Sequence, residues 1–524
     1  MTKRYSAALL TGVLLILSFA PFGLWPLAWL AFVPLLLALD GASPVRAFFL
    51  AFLAGFTFFL GTVYWVVNSM HFYGGLGLAT SVPVMLLLVA FLGVYPGLFG
   101  LFFRFRGSCP LKTLFFLPVL WTALEYLRSH LFTGFPWVNL GYSQVPFLTV
   151  IQVSDITGVW GLSFIIILVN ALIFLHVRSF LKGNGVPVKE TVITALLIIM
   201  VLTYGAFRIK GVAAAASKWK GVTVALAQGN IDQSVKWDAA YRKKTIEIYR
   251  ALTRDAKVRG ARFVVWPETA VPFYLGGDRE KKESIMKIPV EAGVFLLTGS
   301  PAFEYNLEGG GVRLYNSAYL ISPEGGQGKG KILGRYDKVH LVPYGEYVPL
   351  KRFFPFIKKL TAGVGDFSAG PGPLPLTFND ISVGTVICYE AIFPDLTRRF
   401  VKNGAGLLVN ITNDAWFGRS SAPYQHFEMA ALRAVENRVF LLRAANTGIS
   451  AVVGPAGRVR KKSAIFTGAL IVERVGVKKG PLTFYTRFGD IFAYICMAAS
   501  VVFILTGFYG MRREGGGARR EAGV

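Results

Sequence analysis

Seven stretches in the first 207 residues are apolar over lengths that approach or reach a bilayer crossing, and this restricts the fold more than any other feature of the chain. About 20 apolar residues cross a hydrocarbon core as a helix. Such runs must satisfy every backbone polar group internally, which favours a helical bundle. Candidate spans lie at about 6–20, 24–39, 46–68, 79–104, 112–127, 156–177 and 190–207. An eighth run, Ile491–Leu505, follows a long polar interval. The first two are short and are separated by Pro21-Phe-Gly-Leu-Trp-Pro26, read as a tight hairpin. Pro21 and the immediate second run argue for a retained helix and against a cleaved signal peptide.

Charge gives these runs a direction. Charged residues make up only 16% of the chain, yet Lys and Arg number 55 against 29 Asp and Glu, a net charge of +26. Basic residues mark the cytoplasmic ends of spans. Lys3 and Arg4, then Arg46, then Arg104, Arg106 and Lys112, then Arg178, Lys182 and Lys189, and last Arg512, Arg513, Arg519 and Arg520 fall on one side if there are eight spans. Arg128 is the main exception. Both termini are therefore expected in the cytoplasm, with the polar interval on the outer face of the cytoplasmic membrane. This rests on the short first pair being two helices; an odd count would reverse it. No basic tract interleaved with aromatics points to nucleic acid.

Between about Gly211 and Leu482 charged residues, Gly and Pro return, and apolar runs shorten to strand length. The expected organisation is a transmembrane domain at 1–210, a catalytic domain at 211–484, a final helix at 485–510 and a basic tail at 511–524. Within the polar interval, strands are expected at Gly221–Gln228, 261–266, Val294–Gly299, Val383–Cys388, Gly406–Thr412 and Ile449–Gly454, with helices at Tyr241–Val258 and Tyr424–Ala445. This alternation predicts an α/β domain.

Chemistry concentrates at strand ends, where α/β folds gather their sites. Glu268 follows an apolar strand that Pro267 stops; Lys338 and Glu346 lie in Gly334–Pro349 (GRYDKVHLVPYGEYVP); Cys388 ends Gly384–Pro394 (GTVICYEAIFP). A carboxylate, an amine and a thiol brought together can make an activated nucleophile. The glutamate takes the thiol proton, while the lysine lowers the cysteine pKa and steadies an oxyanion. The backbone N–H after the cysteine is a second candidate oxyanion donor. Alone, each residue also reads blandly: a packed thiol, a loop carboxylate, a surface amine. The three cysteines, at 109, 388 and 496, have no metal-ligand or disulfide spacing.

WPETA (266–270), GRYDKVHLVPYGEYVP and ICYEAIFP (387–394) resemble the three signature blocks of the nitrilase superfamily. With spans on both sides, the chain resembles the apolipoprotein N-acyltransferase family over essentially its whole length. That resemblance implies a multi-pass α-helical membrane domain of about eight spans joined to an α/β αββα sandwich. It implies Glu268 as general base, Lys338 as oxyanion stabiliser and Cys388 as nucleophile. Glu346, Tyr389 and Glu390 become supporting residues, and Trp237 and Trp416 substrate-binding ones. The implied reaction moves an acyl chain from a phospholipid, through a thioester, to the α-amine of a diacylglyceryl-modified N-terminal cysteine of an apolipoprotein. The implied setting is the bacterial inner membrane, with no cofactor or metal and a monomeric enzyme. Lys351–Leu360 (KRFFPFIKKL) suits a lid or an interfacial element, and Gly363–Pro375 a hinge or a loop. A membrane-tethered amide hydrolase would use the same triad. A transporter would need more ionisable residues inside the spans than Glu125, Arg128 and Asp490.

Overall fold

The computed structural model describes residues 2–305, 311–326, 328–347 and 366–521, with side chains to 509. The expected lid at Lys351–Leu360 lies outside the described residues. The chain forms two compact units. One comprises Met1–Tyr64, Val82–Phe207 and Phe488–Val524, and the other Trp65–Ser81 and Arg208–Arg487.

The first unit is helical. Its principal helices are α1 (Thr2–Ser18), α2 (Val33–Leu39), α3 (Pro44–Val63), α4 (Leu78–Phe102), α5 (Pro110–His130), α6 (Val159–Leu181), α7 (Val188–Ala216) and α12 (Ile491–Glu521). Among the described residues, five helical segments have the length and hydropathy of a membrane span: Pro44–Val63, Leu78–Arg106, Val159–Leu181, Val188–Ala216 and Ile491–Tyr509. Their outward side chains are apolar: Leu87, Leu196, Ile199, Val502 and Leu505 are all exposed. Lipid tails give helices no hydrophobic reason to associate, so small residues let backbones approach. A Cβ on Gly12 would meet Thr57 Cβ at 2.6 Å, and one on Gly100 would collide with the Ala47 carbonyl oxygen.

Two expected spans differ from the helices formed. The run at 24–39 is a 3-10 turn, Trp25–Trp29, followed by the short α2, each opened by a proline that cannot donate to a preceding helix. The run at 46–68 stops at Val63. The residues after it, Trp65–Ser81, pack with the polar unit instead, through Trp65, Asn68 and a π-turn at Ser69–Tyr73.

The second unit contains two six-stranded sheets. The first runs β12-β1-β2-β3-β4-β5, with β1 (Lys220–Gln228), β2 (Phe263–Val265), β3 (Phe295–Tyr305), β4 (Val312–Ser322), β5 (Lys331–Asp337) and β12 (Ala469–Val477). The second runs β11-β10-β9-β8-β7-β6, with β6 (Leu376–Phe378), β7 (Ile381–Ile387), β8 (Leu407–Thr412), β9 (Phe440–Ala445), β10 (Ala451–Val453) and β11 (Val459–Lys462). In each sheet three central strands are parallel: β1-β2-β3 and β7-β8-β9. Parallel strands covered on both faces read as continuous apolar runs, and every residue of β8 and β9 is buried. Helices α8 (Ala239–Val258) and α9 (Arg279–Ala292) cover the first sheet through Ile246, Tyr249, Ile285 and Ile288. Helices α10 (Pro394–Lys402) and α11 (Ala422–Asn437) pack on the second. The sheets meet through Phe378, whose ring lies 4.8 Å from Phe263 and 4.6 Å from Phe295. The result is an αββα sandwich.

The helix expected over Tyr424–Ala445 is two elements. Arg438 adopts a left-handed conformation (φ 53, ψ 49) that ends α11 at Asn437, and Phe440–Ala445 pairs in parallel with β8. A long apolar segment cannot reveal by periodicity alone where a buried helix becomes a buried strand.

Candidate active site

Four strand ends converge. Glu268 follows β2, Lys338 follows β5, Cys388 follows β7 and Asn413 follows β8. Pro267 ends the β2 ladder, and Thr269 takes a positive φ of 47 that turns the chain just past the glutamate. The turn lies tight on β3: a Cβ on Gly299 would stand 2.5 Å from Thr269 N and 2.8 Å from Glu268 Cα. Cys388 itself has φ 52 and opens a 3-10 turn, Cys388–Ile392. A non-glycine residue held there between a strand and a turn is strained, and strain of this kind clusters at functional positions.

Glu268 is buried and fixed at both oxygens. Asn316 Nδ2 donates to Oε1 at 2.8 Å, and the Asn413 N–H donates to Oε2 at 3.0 Å. The same Asn316 nitrogen donates to Glu346 Oε1 at 2.9 Å. Glu346 in turn accepts from Lys338 Nζ, 3.0 Å from Oε1 and 2.9 Å from Oε2, and from the Val342 N–H at 2.8 Å. One asparagine amide therefore joins the expected base to the expected lysine–glutamate pair.

Glu390 locks the Lys338 loop against the Cys388 strand. Its Oε1 accepts from Tyr336 OH at 2.8 Å and from the N–H groups of Val339 at 2.7 Å and His340 at 3.1 Å; its Oε2 accepts from Ile387 N–H at 2.7 Å. Burial pushes this carboxyl up to about 7 against those four donors. Tyr389 is buried beside His340 and Phe393, with ring centroids 5.9 Å and 5.1 Å away. Burial holds His340 neutral, its pKa lowered to about 4 with Lys338 adding to the shift.

The electrostatics revise one expectation. Burial, and next the Glu268 charge, raise the Cys388 thiol well above its ordinary value, and the opposing pull of Lys338 does not overcome them. Cys388 therefore rests as a thiol. Burial likewise raises Glu268, with Lys338 opposing. The carboxyl thus becomes the stronger proton acceptor that a transfer step needs.

The two tryptophans stand apart from this hydrogen-bonded set. Trp416 is half-buried, with its ring 5.1 Å from Tyr73 and its carbonyl accepting from Ser69 Oγ at 2.9 Å. Trp237 is 38% exposed. Among the described residues neither hydrogen-bonds to Glu268, Lys338 or Cys388. Residues 366–375 run as a loop tied to the site: Phe367 N–H donates to Glu346 O and Gly370 N–H to Lys338 O, both at 2.9 Å.

Several site residues carried no sequence expectation. Asn316 sits mid-strand with no local mark. Behind Cys388, His426 Nε2 lies 3.2 Å from the Cys388 carbonyl oxygen, and His426 Nδ1 lies 3.0 Å from Asp414 Oδ1. Arg443 Nη2 donates to Asp414 Oδ2 at 2.8 Å, and Arg443 also bonds Asn410. Despite burial, Arg443 and then His426 hold Asp414 well below the usual carboxylate range. Lys236 is buried against the Glu268 turn, donating to Thr269 Oγ1 at 2.6 Å and to Glu268 O at 3.2 Å. Its only signal in the sequence is its place beside Trp237. No cluster of His, Cys, Asp or Glu among the described residues has metal-binding geometry.

Comparison with known proteins agrees with this architecture. The family model for the apolipoprotein N-acyltransferase N-terminal domain matches residues 11–172, and that for carbon-nitrogen hydrolase matches residues 223–475. The apolipoprotein N-acyltransferase of Geobacter metallireducens is 44% identical over 95% of this chain and 94% of its own. That of Haemophilus influenzae is 33% identical over 96% of this chain and 94% of its own. Among solved structures, an amidase from Nesterenkonia sp. AN1 is 20% identical, with 52% of this chain and 98% of the amidase covered at a TM-score of 0.37. The length and depth of the first two matches leave one assignment: the chain belongs to the apolipoprotein N-acyltransferase family.

Proposed function

We propose that this enzyme moves an acyl chain from a membrane phospholipid to the α-amine of the diacylglyceryl-modified N-terminal cysteine of apolipoproteins, by way of a thioester on Cys388. Glu268 takes the Cys388 proton as sulfur attacks the ester carbonyl. It returns that proton to the departing lysophospholipid oxygen. Lys338 faces the developing oxyanion, and Glu346 holds Lys338 in place. In the second half-reaction the acceptor amine attacks the thioester, its proton passes to Glu268, and the thiol is restored. Splitting an ester-to-amide transfer in two makes each step easier. Holding both lipid substrates in one bilayer supplies proximity. Tyr389 and Glu390 position the Cys388 turn, and Trp237 and Trp416 are proposed contacts for substrate. Residues 1–210 and 485–510 form the membrane part and 211–484 the catalytic part. The enzyme acts as a monomer in the inner membrane, with its catalytic domain on the outer face and both termini cytoplasmic.

The observation that carries this reading is the chain Glu268–Asn316–Glu346–Lys338 beside a strained, buried Cys388. The test is intact mass spectrometry of the purified full chain after incubation with phospholipid and no acceptor, beside Cys388→Ser. An acyl-sized adduct on the wild type is expected, mapped to Cys388 and discharged onto a diacylglyceryl lipopeptide. Absence of the adduct, or discharge onto water as fast as onto the peptide, would overturn it.

A further inference from the structure

Lys236 is 1% exposed, yet no carboxylate oxygen lies within ion-pairing distance of it among the described residues. Its two hydrogen-bond partners are neutral oxygens, Thr269 Oγ1 and Glu268 O. Lys338, by contrast, is matched by both oxygens of Glu346, and Arg443 is matched by Asp414. A buried cation with no partner of its own is costly unless a net negative charge faces it.

Such a charge is present. Glu268 and Cys388 share one proton between them in the proposed chemistry. The pair is carboxylate and thiol, or carboxylic acid and thiolate, and carries one negative charge in either form. Lys338 also pulls on that charge, but it is paired with Glu346, so Glu268, Cys388, Glu346 and Lys338 together still carry a net negative charge. The titratable groups facing the Lys236 amine are Glu268, from the end of β2, and Cys388, from the end of β7. Asp232, in the same loop, is exposed and accepts from Ser234 instead. Asp238 caps α8.

Resting on the acyl-transfer reading, we infer that Lys236 is the counter-charge of the Glu268–Cys388 pair: a positioning residue whose ammonium keeps the thiolate accessible and holds the Glu268 turn in place. It exchanges no proton in the cycle. Burial pushes its ammonium down to about 8, so the charge is present at neutral pH and is lost as pH rises through that value.

The experiment measures the rate of Cys388 acylation from phospholipid, without acceptor, from pH 6 to 10. Wild type, Lys236→Gln and Lys236→Arg are compared. Gln keeps hydrogen-bond donors but no charge; Arg keeps the charge at every pH used. The wild-type rate is expected to fall above about pH 8. Lys236→Arg should retain activity with the alkaline fall removed, and Lys236→Gln should be about 10²-fold slower, the scale of one lost electrostatic stabiliser. A Lys236→Gln rate within twofold of wild type, or a wild-type rate that is flat or rising through pH 9, overturns the inference. The rate of Cys388 alkylation by iodoacetamide across the same pH range, followed by peptide mass, does not depend on acyl transfer. It is expected to shift to higher pH in Lys236→Gln alone; an unshifted profile would overturn the counter-charge role even if acylation itself were absent.

Discussion

Asn316 Nδ2 reaches Glu268 Oε1 at 2.8 Å from the middle of β4, fixing the direction of the Glu268 carboxyl from a strand rather than from a loop. The same nitrogen reaches Glu346 at 2.9 Å, so one side chain keeps two buried carboxyls from turning away from Lys338 and Cys388. Asn316→Leu removes both bonds; Glu346 Oε1 keeps Lys338, while Glu268 Oε1 loses its donor at a cost of about 1–3 kcal/mol. Thioester formation should slow by at least about tenfold while α-helical content is unchanged. Acylation kinetics read against circular dichroism check this, and an unchanged rate would show that Glu268 is oriented by Asn413 alone.

Glu390 has four donors, three of them from the segment that carries Lys338. In Glu390→Ala those donors stay buried without an acceptor. The expected result is a lower unfolding temperature together with loss of the Cys388 adduct. Glu390→Gln keeps one acceptor and should recover stability more than activity. Thermal unfolding in detergent and adduct mass, measured on the same samples, separate the two effects.

Gly299 has no room for a methyl group, because Thr269 N and Glu268 Cα are backbone atoms and cannot rotate aside. Gly299→Ala must move the Glu268 turn. Activity should fall by more than about tenfold, consistent with the sensitivity of positioned groups to shifts on the order of 1 Å. A fully active variant would mean that β3 yields and the turn does not.

Asp414 and Arg443 are both fully buried and paired at 2.8 Å. Arg443→Met leaves a buried carboxylate that keeps His426 and Thr412 but loses its counter-charge, expected to cost about 3–5 kcal/mol. The pH dependence has a definite sign. The folded state holds Asp414 below its unfolded value of 3.8, so its contribution is complete above that pH and fades as pH falls beneath it. The stability gap between wild type and Asp414→Asn should therefore be constant near neutrality and shrink below about pH 4. Unfolding temperatures across that range check it.

The apolar runs, the charge asymmetry and the three strand-end motifs were all legible in the sequence, because each is a local pattern. A bilayer demands length and hydropathy; a site beyond a strand demands a polar residue directly after an apolar run. Glu268, Lys338, Cys388, Glu346 and Glu390 met that demand, and the fold brings all five together. The break at Pro26 and Pro34 and the division of 424–445 into helix and strand were less legible. In 424–445 burial on every side erases the periodicity that separates helix from strand; at Pro26 and Pro34 an apolar run hides short helical turns opened by prolines.

What the sequence determined by itself was which residue types the chemistry could draw on and that apolar helices flank an α/β domain. What only the tertiary structure decided was how their charges cancel. Asn316 and Arg443 lie outside the motifs along the chain, and Lys236 and Asp414 are marked only by standing near Trp237 and Trp416. Their importance comes from being packed, out of water, against groups contributed by other strands. In that setting burial and the Glu268 charge outweigh the pull of Lys338, which is also paired with Glu346, and Cys388 rests protonated. Desolvation and pairing depend on three-dimensional neighbours, and a linear order of residues does not contain them.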